Sequence, residues 1–140
     1  MKTFSTIALI ALLFAIAPRL CFAEMVIMPV TKERAKELGI ELRTKASGPN
    51  DVWVELEFHA KGGLKDFDHV SLEISEDGKS VLGYAPLRPH PSDSGRIYVV
   101  FLANRVFLEK VTLRVVTGPL KVSVGHDLRV RDFVDLKKAR

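Results

Sequence analysis

Cysteine is nearly missing: Cys21 is the only one in 140 residues. It lies in a segment that reads as removed on export, so the working protein is expected to hold no disulfide, no thiol nucleophile and no cysteine metal ligand. An excess of charge is missing too. Lys and Arg total 21 against 17 Asp and Glu. Without Lys2 and Arg19, residues 24–140 carry 19 basic and 17 acidic side chains, a net of +2. That is no electrostatic footprint for nucleic acid, and none is expected as a partner. No long apolar run follows Ala17, which excludes a multi-span membrane protein. Asn-x-Ser/Thr is absent: Asn50 precedes Asp51-Val52 and Asn104 precedes Arg105-Val106. Also absent are a G-x-S-x-G elbow, a His-Glu-x-x-His pair, an EF-hand loop and a dinucleotide fingerprint. Gly78-Lys79-Ser80 imitates the end of a phosphate loop, but position 73, where that loop needs glycine, is Glu.

Residues 1–23 read as an address. Lys2 precedes an unbroken apolar run of eleven residues, Ile7–Ala17. As a helix this reaches only ~17 Å, short of a ~30 Å hydrocarbon core. Pro18 and Arg19 end it, and Cys21-Phe22-Ala23 offers small residues at −3 and −1 of a cut after Ala23. The expectation is a cleaved signal peptide and a periplasmic or secreted protein. The membrane would be touched only through that segment before cleavage.

The remainder is punctuated by turns. Residues 24–39 form an N-terminal extension, with Met25–Val30 extended and a short helix over Lys32–Leu38, capped by Thr31 and stopped by Gly39. From Ile40 the hydrophobic period is two. Ile40, Leu42 and Thr44 open it. Val52, Val54, Leu56 and Phe58 follow the turn Gly48-Pro49-Asn50-Asp51. Val70, Leu72 and Ile74 precede a hairpin signal at Glu76-Asp77-Gly78-Lys79, and Ser80–Leu87 follows it. Ile97–Ala103 is apolar on both faces, as a central strand would be. Val111, Leu113 and Val115 come next. Leu120–Val134 holds one strand or two, broken near Gly125. Arg129 and Arg131 would suit a sheet edge there. Lys137–Arg140 is a basic, solvated tail. About seven short strands without a long helix predict an all-β, antiparallel two-sheet sandwich over residues 40–136. In strand number and spacing this resembles an immunoglobulin-like or fibronectin-III-like domain. It lacks the cysteine pair, and Trp53 sits on the second strand rather than the third. Such architecture implies no function by itself.

Candidate site residues come from topology. In an antiparallel sandwich successive connections alternate between two ends. Loops 60–69, 88–95 and 117–125 then share one end, together with His59, His69, His90 and His126, and with Lys61, Lys65, Arg88 and Lys121. Loops held by a rigid scaffold favour binding. Trp53 shares a strand face with Glu55, Glu57 and His59. Its ring is either a ligand platform or lies over the sheet, covered by residues 25–38. Glu55 and Glu57 read as a solvated outer face. The expectation is a non-catalytic exported module without a cofactor. It would bind a protein or another macromolecule through those loops, with Lys61, Lys65, Arg88, His90, Lys121, His126 and Trp53 as contact residues. The alternative is a small-ligand or metal carrier, taking zinc or copper on His59, His69, His90 and His126, with Asp66, Asp68 or Asp93 adding oxygen. Met25 and Met28 are a weak soft-metal signal.

Overall fold

The computed structural model describes residues 24–75, 81–119 and 122–137. Residues 1–23, residues 76–80 with the expected hairpin signal, Leu120, Lys121 and residues 138–140 lie outside them. Among the described residues the chain forms two sheets. Strands β1 (Glu24–Pro29), β9 (Val122–Arg129), β8 (Val111–Thr117), β4 (Phe67–Ser75) and β5 (Val81–Leu87) make sheet A in that order. Strands β2 (Glu41–Ala46), β3 (Asp51–His59), β7 (Arg96–Asn104) and β6 (His90–Pro91) make sheet B. Short helices α1 (Lys32–Leu38), α2 (Arg105–Leu108) and α3 (Val130–Phe133) connect or follow strands.

Alternation places the core. Val52, Val54, Leu56 and Phe58 of β3 are fully buried, as are Val70, Leu113, Val115 and Leu128 of sheet A, and all belong to one cluster. The Phe58 and Phe67 rings meet edge to face at 5.1 Å, a favoured aromatic geometry. One apolar interior between two sheets is the sandwich that the period of two predicts.

The N-terminal residues belong to this body and are not an extension outside it. β1 pairs parallel with β9, Glu24 opposite Val122 through Pro29 opposite Asp127. The chain then passes from sheet A to sheet B through α1. Thr31 Oγ1 accepts from the Arg34 N–H at 3.2 Å, and Gly39 adopts φ 68°. The Gly39 and Ile40 amides donate to the Lys36 and Ala35 carbonyls at 3.1 and 2.8 Å, a Schellman closure whose hydrophobic pair is Ala35 and Ile40, both buried.

Three expectations change. Val122–Arg129 is one uninterrupted strand, and Gly125 lies inside it. A Cβ there would meet the Arg114 side chain at 2.8 Å and Ile27 at 3.0 Å, so this glycine admits a close neighbour and marks no break. β9 lies between β1 and β8, so Arg129 is on no edge, and Arg131 belongs to α3. Ile97–Ala103 is not a central strand over its length: beyond Tyr98 its far side has no strand among the described residues.

Candidate binding surface

Registers align the outer face of sheet B in rows. Lys45, Trp53 and Leu102 form one; Arg43, Glu55 and Val100 the next; Glu41, Glu57, Tyr98 and His90 the third; His59 and Arg96 the last. The latter rows are ionic. Arg43 Nη2 donates to Glu55 Oε1 at 2.8 Å and to Glu57 Oε2 at 2.5 Å. Arg96 Nη1 meets Glu57 Oε1 at 2.8 Å, and Arg96 Nε donates to His59 Nε2 at 3.1 Å. Glu57 is therefore not solvated: two guanidiniums cover it and leave it 8% exposed.

The other half is apolar and open. Trp53 is 43% exposed, and Val100 and Leu102 are each 48% exposed. Residues 25–38 do not cover the ring, because β1 has joined the other sheet.

Beside this patch runs a free backbone edge. The Arg96 carbonyl accepts from Ser92 N–H at 2.8 Å on the β6 side, whereas Arg105 N–H donates to the Asn50 carbonyl at 2.9 Å on the β3 side. In an antiparallel ladder both polar groups of a residue point the same way and alternate along the strand. The N–H and C=O of Val100 and Leu102 thus face away from β3. β6 begins only at His90, opposite Tyr98, and Arg88-Pro89 before it belong to no strand. Among the described residues no strand pairs with Val100 or Leu102 on the side away from β3.

The outer face of sheet A is built differently. Arg114 donates from Nε to Asp127 Oδ1 at 2.6 Å and from Nη2 to Asp127 Oδ2 at 2.9 Å, and its Nη1 bonds Glu73. These side chains are 16%, 18% and 9% exposed. They floor a groove of about 730 Å³ walled by Ile27, Val30 and Phe133. Burial, then the Asp127 charge, raise the Glu73 carboxyl above its ordinary range, against the pull of Arg114. Nothing in the sequence analysis singled out Glu73, Arg114 and Asp127. They lie on three strands, and only Gly125, which makes room for Arg114, hinted at them.

The four histidines do not converge. His59 and His90 share the outer face of sheet B, flanking Arg96 and Tyr98. His69 lies on sheet A, with Nδ1 at 2.7 Å from Asp68 Oδ2. His126 is not at the loop end. It sits mid-strand opposite Val115, 6% exposed, with Nε2 at 3.3 Å from Thr117 Oγ1. Burial, followed by the Arg34 charge, holds its imidazole below the ordinary histidine range, and Asp127 opposes them. Among the described residues no three His, Cys, Asp or Glu side chains are grouped to hold a metal. Lys61, Lys65 and Arg88 are exposed at the expected end, with no ion pair among the described residues. Most of the expected loop 117–125 is strand.

Comparison with known proteins adds no relative: no family model matches the chain, no curated protein matches it in sequence, and no solved structure matches it in fold.

Proposed function

We propose that the protein is an exported, non-catalytic binding module that takes a polypeptide partner on sheet B, with the partner adding a strand at β7. One observation carries this reading. β7 has the composition of a strand covered on both faces, yet Val100 and Leu102 are exposed beside Trp53, with their backbone groups turned to an open side. Natural sheets guard such edges with charge, proline or irregularity. The edge of β2 carries Glu41, Arg43 and Lys45, β5 carries Pro86 opposite Ser71 and a register shift opposite Ile74/Ser75, and β1 is bounded by Glu24 and Pro29. Val99–Ala103 carries none of these. Strand addition draws affinity from main-chain hydrogen bonds and specificity from alternate side chains, here those meeting Trp53 and Leu102. Loop 88–95, with Arg88 and His90, flanks the surface.

The strand order supports an immunoglobulin-like assignment: β2-β3-β7-β6 follows the order A-B-E-D, and β9-β8-β4-β5 follows G-F-C-C′. Export rests on the apolar run and cleavage pattern of residues 1–23. The metal-carrier alternative has no grouping of histidines behind it. The test is capture of a partner from the producing cells by the protein and by its Trp53→Ser/Val100→Ser/Leu102→Ser variant. Loss of capture with an unchanged melting temperature is expected; undiminished capture overturns the reading.

A further inference from the structure

We infer that the strand added to β7 is β7 of a second copy, related by a two-fold axis through Leu102. This rests on the reading of β7 as an edge open to strand addition, and it names the occupant.

The backbone selects the register. Val100 and Leu102 point their polar groups to the open side, the Asn104 amide falls on the same side while its carbonyl caps into α2, and β6 occupies the flank of Tyr98. An axis at Phe101 would drive Asn104 of the second copy against Tyr98, where His90 already pairs. An axis at Leu102 sets Asn104 opposite Val100 instead, so the second copy's strand ends before Tyr98 and its α2 begins there. Leu102 then exchanges a reciprocal pair of hydrogen bonds with its own copy, and each Val100 carbonyl accepts from the amide of the other chain's Asn104.

Side chains agree on both faces. Trp53 stands opposite Leu102 on β3, so the outer face acquires an unbroken row of Trp53, Leu102, Leu102 and Trp53 across the seam. On the inner face half-buried Phe101 meets Ala103 of the other chain, large against small, which continues the two cores into each other. Charge is compatible as well. No charged residue lies between Arg96 and Arg105, so the axis brings no like charges face to face. An axis at Arg43 of β2 would set that guanidinium against its own copy. Short edge-to-edge seams belong to the small class of interfaces, so association in the micromolar range is expected.

The decisive experiment is sedimentation velocity on the purified protein over a concentration series, with Leu102→Lys, Leu102→Glu and their equimolar mixture. The wild type is expected to move from one to two chain masses as concentration rises. Each variant alone should dissociate at least about tenfold more readily, and the mixture should recover the dimer, because position 102 faces itself only across this axis. Matching circular dichroism and melting temperature show that the variants fold. A wild type that stays monomeric, or variants that dimerise unchanged, overturns the inference. A photoreactive residue at position 102 in producing cells separates this failure from that of the underlying reading. A product of twice the chain mass supports self-pairing. A product with a different polypeptide overturns self-pairing and leaves strand addition standing. No product, with a monomeric wild type, overturns both.

Discussion

The outer faces of the two sheets solve the same problem in opposite ways. Sheet A ties the middle of its outer surface internally: Arg114 spans from β8 to Asp127 on β9 and Glu73 on β4, the three side chains are largely withdrawn from water, and exposed apolar side chains such as Ile27 and Tyr84 lie at its margins. Sheet B satisfies only its ionic half, around Glu57, and leaves Trp53, Val100 and Leu102 to solvent. A cluster completed within the chain serves stability. An apolar surface left open is where we propose that another molecule completes it.

That contrast orders the expected effects of mutation. The largest belongs to Arg114→Ala, which strands the buried Glu73 and the half-buried Asp127 and should cost about 3 kcal/mol in urea denaturation. A loss under 1 kcal/mol would show the ionic cluster to be wetter than its burial indicates. Next comes Gly125→Ala, whose methyl would displace Arg114 or Ile27. A cost of about 1–3 kcal/mol in the same titration is expected. A neutral result would mean that Arg114 swings aside freely.

The pH response follows from two buried groups of opposite sign. His126 titrates near 6.5 in the unfolded chain and lower in the fold. As pH falls through 6.5 the unfolded state binds more protons, so the native state loses stability until the folded imidazole protonates too. Glu73 titrates above 4.5 in the fold, so its contribution is full below 4.5 and is lost as pH rises through the folded value. Melting temperatures of the wild type and His126→Gln between about pH 7.5 and 5.5 isolate the histidine. The variant should lose less on acidification, and equal slopes would remove His126 from the account. The smallest effect on folding is expected where binding is most affected: Leu102→Ser should shift stability by no more than about 0.5 kcal/mol. A larger loss would make this residue part of the fold rather than of a contact surface.

Much of the sandwich was legible because its signals are local. The alternation of Val52 to Phe58 and of Val111 to Val115 depends on adjacent residues, as do the Thr31 cap and the Gly39 stop. What failed was non-local. Nothing near Met25 announces a parallel partner nearly 100 residues away at Ser123. Glu73 and Arg114 are 41 residues apart, and neither is unusual until the strands are laid side by side. Gly125 misled because a strand-interior glycine and a turn glycine look alike without the neighbour that needs the space. Trp53 was correctly odd: its position on a polar face pointed to the surface that the fold leaves open. The apolar run of β7 predicts cover on both faces, and the exposure of Val100 and Leu102 is the most informative departure.

The parallel pairing of β1 with β9 also has a mechanical meaning. Glu24 begins β1 at one end of the sandwich, while the chain leaves β9 at the other end on its way to Leu136. Tension applied between those points pulls the two strands along their shared axis. The ladder from Glu24 to Pro29 is then loaded in shear, so its hydrogen bonds resist together rather than opening one after another as in a hairpin peeled from its tip. The strand nearest the N-terminus thus acts as a clasp, and a module tethered at both ends would keep its shape under load for as long as that clasp holds.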